Sequence, residues 1–381
     1  MRNRYISVNL RTKLILFLVL VFLIANLLIL TDGIKMGGDT PYYLAGAYDM
    51  SSIPTKLGYL FLISFSQYLG LGLKGVIAIQ ILCSALAAIA IYDLARTILD
   101  YRAGILALIL FMYNPLIIRW NSFILTESLF ISMVVISTWA INYASSSRRW
   151  TWYFISGLIV LYTASIRPHG WSLVPIACIY WIGGSGLTRK CKYFLIVLSA
   201  TCLLVFSPFS KGIQYSFSIE GQRQSSILAN YNQMQSEGMV VWGFSRWDLP
   251  MPIKRDSTVE EIGSRSIAHH PFWFIRLFCS RILVEFSHLR PFYSLRHNLF
   301  SIAFLLPLYF FAVWGAISLK RKPAVILVLI IIAAHIAFIG LTWADWDGRF
   351  LNYILPLISA LASCGLVLSI DYYRSSQSRK P

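Results

Sequence analysis

A few charged residues stand in short polar motifs that separate long apolar segments. Asp39 lies in the motif GGDTPYY, Glu127 follows Thr126, Arg167 opens the motif RPHG, and Arg349 ends the run DWDGR. A single carboxylate in such a place can take the proton from a hydroxyl group. An arginine can hold a phosphate through two parallel hydrogen bonds. These residue types therefore point to chemistry that activates a hydroxyl group and binds a phosphate.

The segments that must position these residues are long and apolar. The chain is 57% hydrophobic and 13% charged, and a soluble core of that composition would have too little polar surface to cover it. Runs of about 17 to 22 apolar residues have the length that a transmembrane helix needs. They predict an all-α polytopic membrane protein with ten crossings, at residues 14–31, 74–93, 103–119, 126–143, 151–166, 170–186, 192–209, 298–318, 323–342 and 350–370.

One further stretch, 57–73, is apolar but interrupted by Ser64, Ser66 and Gln67. If it does not cross, the N-terminus, four basic loops and the C-terminal tail share one side with only three of the 16 acidic residues. The positive-inside rule makes that side cytoplasmic. We therefore expect 57–73 to be a helix on the outer surface, with both termini inside and the motifs around Asp39 outside.

Two outer segments are long, 32–73 and 210–297. In the second, residues 271–289 have an amphipathic pattern with Arg276 and Arg281 between aromatic residues, which is typical of a helix half-sunk in the headgroup layer. We expect the chain to divide into an N-terminal membrane module, an outer segment, and C-terminal transmembrane helices with a short cytoplasmic tail, at 1–209, 210–297 and 298–381.

The overall charge and the cysteines exclude other classes of protein. The net charge is +17, but the basic residues lie in short loops between apolar segments, and membrane topology explains that arrangement. We therefore expect no nucleic-acid partner. The six cysteines are scattered and form no CxxC pair, which argues against a disulfide framework and a thiolate metal site.

The order of these motifs resembles that of the GT-C superfamily, the polytopic glycosyltransferases that use lipid-phosphate sugars, and in particular the bacterial relatives of glycosyltransferase family 39. The matching stretches are GGDTPYY, GYLFLISFSQYLG, YNPLIIRWNSFILTESLF, IRPHG, HPFWFIRLFCSRIL and DGRFLNYILPLISALA. The resemblance implies that Asp39 is catalytic, that a membrane-facing groove binds a polyprenyl phosphate, and that the acceptor enters from outside.

Transfer from a sugar phosphate needs few residues. The phosphate leaves as a stable anion, so one base for the acceptor hydroxyl and cations for the phosphate suffice. A single in-line displacement inverts the anomeric carbon. The resemblance thus implies a hexosyl- or pentosyltransferase of the inner membrane, with its site on the periplasmic face and a glycan, lipid or protein as acceptor.

Besides Asp39, we expect eight outer residues to contact the substrate: Tyr42, Glu127, Arg167, His169, Arg276, Arg281, Asp347 and Arg349. No motif requires a cofactor. The run DWD is similar to the metal-binding DxD of nucleotide-sugar enzymes and leaves a divalent cation open, but it lies on the wrong side of the membrane for those enzymes. A pairing of Asp347 with Arg349 is the alternative.

The same residues also have structural interpretations. Asp39 precedes a Thr-Pro pair and could cap a helix, and an acid such as Glu127 is favoured in the first turn of a helix. Arg167 and Arg349 lie at the ends of spans, where a guanidinium can contact lipid headgroups. His169 fits an interfacial hydrogen bond.

Two other functions stay open from the sequence. A transporter or flippase of lipid-linked sugars usually has two related halves and charges within its spans, and this chain shows neither clearly. A polysaccharide polymerase or ligase would also use a large outer loop with arginines. Asp39 separates these functions, because a flippase needs no base in the first outer loop.

Overall fold

The computed structural model describes residues 8–31, 33–49, 56–184, 271–290, 293–342, 344–345 and 347–378. Its helices are α1 (Val8–Thr31), α2 (Thr40–Tyr48), α3 (Leu57–Tyr68), α4 (Gly72–Ile98), α5 (Tyr101–Met112), α6 (Pro115–Ile118), α7 (Thr126–Ser147), α8 (Trp150–Ile166), α9 (Leu173–Gly184), α10 (Pro271–Ser287), α11 (Leu295–Ser318), α12 (Pro323–Leu341) and α13 (Leu355–Gln377). The predicted all-α fold is confirmed for this part of the chain.

Five of these helices, α4, α7, α11, α12 and α13, are long and apolar enough to cross a membrane, and the bent pair of α5 and α6 is a sixth candidate. Shorter apolar stretches occur in α1 and α8. The multi-pass membrane fold is thus confirmed, whereas the number of ten crossings stays a prediction. The predicted span 192–209 and most of the segment 210–297 lie outside the described residues, and the division into three parts stays a prediction as well.

The predicted span 103–119 is bent and not a single straight helix. α5 ends at Met112, and the axis turns by 48° before the helical segment that Pro115 begins. Asn114 caps this segment, because its side chain accepts a hydrogen bond from the backbone N–H of Leu116 at 3.0 Å. Proline at a first-turn position fits such a start. The bend brings the following residues to the end of the bundle where α7 begins.

α3 is the helix that the sequence predicts within 57–73. It has 12 residues, or about 18 Å at the usual rise, which is too short to cross a bilayer. Gly70 and Gly72 have positive φ angles of 71° and 57° and turn the chain into α4, a conformation that glycine adopts without strain. The length of α3 agrees with a helix that lies along the membrane surface.

The bundle is centred on α4, which packs against α5 and α7, while α7 packs against α8 and α13 against α11. α11 and α13 approach closely at Gly315 and Gly365, where a Cβ atom would overlap the backbone of the opposite helix. Small residues are the usual means of close packing between transmembrane helices. On the outside of the bundle, large side chains such as Leu20 and Leu306 are exposed, as a lipid environment requires.

Candidate functional site

The first loop is held at the site by backbone hydrogen bonds to the segment before α7. The N–H of Lys35 donates to the carbonyl of Ser122 at 2.9 Å, and the N–H of Ile124 donates to the carbonyl of Lys35 at 3.1 Å. The hydroxyl of Thr40 donates to the carbonyl of Ile124 at 2.9 Å. These contacts fix the start of α2, and with it Asp39, beside the start of α7.

Asp39 occupies the N-cap position of α2, yet its side chain makes no capping hydrogen bond. The carboxylate instead lies 3.8 Å from Nη1 of Arg349, and its side chain is 47% exposed. The hydroxyl of Tyr43 is 3.5 Å from Oδ2 of Asp39. The side chain therefore lacks the bond that the helix-cap interpretation requires, and it is both accessible and close to a cation.

Glu127 lies in the first turn of α7 and is fully buried. Its Oε1 atom accepts hydrogen bonds from Nη1 of Arg167 at 2.8 Å and from Nη1 of Arg349 at 3.2 Å. The same nitrogen of Arg167 also donates to the hydroxyl of Tyr353. Burial of charged groups costs several kcal/mol in solvation. A favourable helix dipole, worth about 0.3 to 1 kcal/mol at an exposed site, does not account for this arrangement.

The conformation of Arg167 follows from the proline after it. A residue that precedes proline is disfavoured in the helical region, so α8 ends at Ile166 and Arg167 is extended, with φ −152° and ψ 149°. Its guanidinium carbon lies 5.0 Å from the centre of the Tyr353 ring. The residue is 7% exposed, and this burial argues against a simple contact with lipid headgroups.

Arg349 is held mainly by Asp345, four residues earlier. Nη2 of Arg349 lies 3.1 Å from Oδ1 of Asp345, and the backbone N–H of Arg349 donates to Oδ2 of Asp345 at 3.1 Å. The loop turns at Gly348, which has φ 66° and whose missing Cβ would overlap the ring of His288. We call the residues brought together here the arginine–carboxylate cluster: Asp39, Glu127, Arg167, Asp345 and Arg349.

Asp347 lies at the edge of the cluster, and its predicted alternative partner is wrong. It does not pair with Arg349; its Oδ2 accepts a hydrogen bond from Nη2 of Arg119 at 3.0 Å, and its Oδ1 accepts one from the hydroxyl of Tyr293 at 2.5 Å. Arg349 pairs with Asp345 instead, across the turn that the chain makes at Gly348. Among the described residues, no group of three or more His, Cys, Asp or Glu side chains is arranged to hold a metal ion.

Lys56 is a part of the site that the sequence analysis missed. Its Nζ donates to the hydroxyl of Tyr43 at 2.6 Å and lies 4.5 Å from the centre of that ring. Burial, together with the nearby guanidinium of Arg167, lowers the pKa of Lys56 to about 8. A lysine just before an interfacial helix resembles an ordinary headgroup contact, so no local signal distinguished it. Tyr43 connects this ammonium group to Asp39.

His169 lies behind the cluster in a layer of aromatic rings. Its ring centre is 3.8 Å from that of Phe338 and 5.5 Å from that of Tyr353. Neither ring nitrogen has a hydrogen-bond partner among the described residues. Burial, followed by the proximity of His335 and Arg167, holds its pKa well below the usual range. No described residue makes the interfacial hydrogen bond that the sequence suggested, and His169 is a buried packing neighbour of the cluster.

The other three predicted contact residues do not join the cluster. Tyr42 is 55% exposed on α2, and Arg276 is exposed on α10. Arg281 is buried, and its Nη1 donates to the carbonyl of Gly340 at 3.2 Å. Arg281 lies inside the protein because the face of α10 that carries it packs against α12.

A comparison with family models matches part of this chain. Residues 55–210 match the family model described as dolichyl-phosphate-mannose-protein mannosyltransferase. This range is less than half of the 381 residues; it includes Lys56, Glu127 and Arg167 but neither Asp39 nor Arg349. The match agrees with the predicted resemblance for the stretches inside this range, GYLFLISFSQYLG, YNPLIIRWNSFILTESLF and IRPHG.

The archaeal oligosaccharyltransferase AglB from Archaeoglobus fulgidus, solved in complex with an inhibitory peptide and a dolichol-phosphate, is a similar structure with a TM-score of 0.45 and 16% sequence identity. The likeness covers 85% of this chain and 43% of that chain, so the present chain spans less than half the length of AglB. No curated protein matches the sequence.

Proposed function

We propose that this chain, whose residues 55–210 match the family model described as dolichyl-phosphate-mannose-protein mannosyltransferase, is a membrane glycosyltransferase that moves a sugar from a polyprenyl phosphate to an acceptor hydroxyl. The acceptor is a glycan, a lipid or a protein. Asp39 acts as the general base, and cations beside it hold the donor phosphate. A single displacement with inversion follows from one base and no covalent intermediate.

The observation that carries this proposal is the pairing of an accessible carboxylate with a fixed guanidinium. Asp39 is half-exposed, and its Oδ2 lies 3.8 Å from Nη1 of Arg349. Arg349 is held on its other sides by Asp345 and Glu127, so its position is set before any ligand arrives. A base beside a preorganised cation is the combination that transfer from a phosphate needs.

The phosphate has two further cations within the same site. Lys56 lies next to Tyr43, and Arg167 lies behind Glu127. As the bond between sugar and phosphate breaks, negative charge grows on the phosphate oxygens, and fixed cations lower the free energy of that state. Glu127 does not face an acceptor in this scheme; it orients Arg167 and Arg349 by accepting a hydrogen bond from each.

The site is proposed to lie on the periplasmic face of the inner membrane. The cluster lies where α7 begins and α8 ends, and the opposite ends of these helices adjoin Arg148 and Arg149. Basic loops favour the cytoplasmic side, so the cluster faces outward. Nucleotide sugars are made in the cytoplasm, and an outward site therefore calls for a lipid-linked donor.

The proposal is tested by replacing the base. Asp39→Asn preserves shape but removes the proton acceptor, so turnover should fall by about 10² to 10⁴, the usual contribution of a positioned base. Cells that lack the gene are complemented with either variant, and their envelope glycolipids and glycans are compared by mass spectrometry. Asp49→Asn is the matched control, because Asp49 is exposed at the other end of α2. Normal product from a well-folded Asp39→Asn protein would refute the role of the base.

A further inference from the structure

A buried carboxylate outside the cluster grips the loop that carries Arg349. Glu285, near the end of α10, is fully buried. Its Oε2 accepts a hydrogen bond from the backbone N–H of Asp345 at 2.7 Å, and its Oε1 accepts one from the backbone N–H of Leu351 at 2.8 Å. The two oxygens of one side chain thus hold the two ends of the loop 345–351.

A buried arginine also holds this loop, through the backbone carbonyl of Asp345. Nη2 of Arg290 donates to the carbonyl of Asp345 at 2.8 Å, and Nη1 donates to the carbonyl of Val284 at 2.7 Å. Arg290 lies 4.0 Å from Glu285, and both side chains are fully buried. Both backbone polar groups of Asp345 are therefore bonded to the segment 284–290.

Within the loop, the side chain of Asp345 contacts both the backbone and the guanidinium of Arg349. Its Oδ2 accepts hydrogen bonds from the backbone N–H groups of Asp347 and Arg349, at 2.9 and 3.1 Å. Its Oδ1 lies 3.1 Å from Nη2 of Arg349. Glu285 fixes the backbone of Asp345, and Asp345 in turn fixes both the backbone and the guanidinium of Arg349.

We propose that Glu285 and Arg290 are positioning residues that set the place of Arg349 through the loop 345–351, so that its guanidinium meets the donor phosphate. The phosphate part of this inference rests on the proposed function. In this proposal α10 supports the loop that carries Arg349 through Glu285.

The energetics support a role in positioning. A buried ion pair often adds no stability over apolar residues of the same volume. Here the acid and the arginine instead satisfy backbone groups of an irregular loop that would otherwise be buried without partners. Replacing Glu285 by glutamine, which keeps the volume of the side chain and one of its two acceptor oxygens, should release one end of the loop while the bundle stays folded.

The test uses Glu285→Gln in the full-length protein in nanodiscs. Glutamine has the same shape, but its amide NH₂ would face one of the two backbone N–H groups and could not accept from it. Hydrogen exchange of peptides from residues 344–352 should become about 10- to 100-fold faster, the factor expected for loss of a charge-assisted hydrogen bond. Leu283→Ala is the matched control, because Leu283 is 71% exposed on the same helix and should leave this exchange unchanged.

A second measurement follows the consequence for the ligand. Affinity for polyprenyl phosphate should fall about tenfold in Glu285→Gln, and the change should add nothing further in an Arg349→Gln background, because both variants act through one side chain. Unchanged hydrogen exchange of residues 344–352 in Glu285→Gln would show that Glu285 does not hold the loop. If Glu285→Gln lowers the affinity equally in the wild-type and the Arg349→Gln proteins, Glu285 does not act through Arg349. If Arg349→Gln alone binds polyprenyl phosphate normally, the proposed function fails. The hydrogen-exchange data then still decide whether Glu285 holds the loop.

Discussion

The two ends of the helical bundle carry ion pairs of similar length but different burial. At one end, Arg102 lies 2.6 Å from Asp371, and the two side chains are 38% and 43% exposed. At the other end, Arg167 lies 2.8 Å from Glu127, and these side chains are 8% and 0% exposed. Arginine–carboxylate pairs therefore occur in two environments, one exposed to solvent and one almost fully buried.

This difference in burial distinguishes an ion pair with a structural role from one with a functional role. An exposed ion pair contributes about 0.2 to 1 kcal/mol, and here Arg102 ties the start of α5 to the end of α13 by donating two parallel hydrogen bonds to Asp371. A buried pair costs several kcal/mol in solvation before its attraction is counted. Ionisable residues buried in a membrane protein are accordingly functional candidates by default. The buried end of the bundle is where we place the chemistry.

The largest effect is expected for Glu127→Gln. Arg167 would lose its carboxylate partner in a buried place, and breaking a buried pair from one side costs about 3 to 5 kcal/mol. Thermal unfolding in detergent measures the loss. A variant as stable as the wild type would show that the cluster is more hydrated than its burial indicates.

The next largest effect is expected on phosphate binding by the planar guanidinium groups. In Arg349→Lys and Arg167→Lys, a point charge replaces a planar group that can meet two phosphate oxygens. Each change should weaken binding of polyprenyl phosphate by about 1.5 to 3 kcal/mol, the value of a charged hydrogen bond. Arg96→Lys at the opposite end of α4 is the control and should bind normally. Equal affinity in all three variants would move the phosphate site elsewhere.

A smaller effect is expected from pH. The pKa of Lys56 is lowered to about 8 by burial and by the nearby Arg167, so its positive charge is lost as the pH rises through that value. A phosphate monoester is already largely dianionic at pH 7, because its second pKa is about 6. Affinity for polyprenyl phosphate should therefore fall about five- to tenfold from pH 7 to pH 9, following the protonated fraction of the lysine.

Lys56→Arg supplies the control for this pH profile, since arginine stays charged over the whole range. The fall in affinity between pH 7 and pH 9 should be much shallower in this variant. Identical profiles for the wild type and Lys56→Arg would mean that another group titrates.

The smallest effect is expected at the exposed end. Asp371→Asn removes the partner of Arg102, which also keeps Asp100 at 2.7 Å. The free energy of unfolding should change by less than about 1 kcal/mol, and the difference should shrink in high salt. A loss as large as that of Glu127→Gln would remove the contrast between the two ends.

Much of the fold could be predicted from the sequence. Apolar runs of membrane length locate α4, α7, α11, α12 and α13. A single segment in lipid can satisfy its backbone N–H and C=O groups internally only as a helix. Charge at the ends of the spans also indicated that Asp39, Glu127, Arg167 and Arg349 share one face. The structure joins these four residues in one series of ion pairs, from Asp39 to Arg349, from Arg349 to Glu127, and from Glu127 to Arg167.

The partners within the site could not be predicted in the same way. Which of two aspartates in DWDGR pairs with Arg349 depends on the turn at Gly348, and the pairing with Asp347 that the sequence left open as the alternative to a metal is not the one that forms. Glu285 acts on residues 60 and 66 positions away. Such distances leave no periodic signal. The bend at Asn114-Pro115 is a different case, since its turn residues were visible and were read as part of one span.

The central claim is that the buried end of the bundle binds the phosphate of a lipid-linked donor. A cryo-electron microscopy map of the protein in nanodiscs with polyprenyl phosphate tests it most directly. The account predicts phosphate density at about 2.7 to 3.2 Å from a guanidinium nitrogen of Arg349, with Asp39 open to the acceptor side. Phosphate density at the end that carries Arg102 and Asp371, or none at the cluster under saturating ligand, would contradict it.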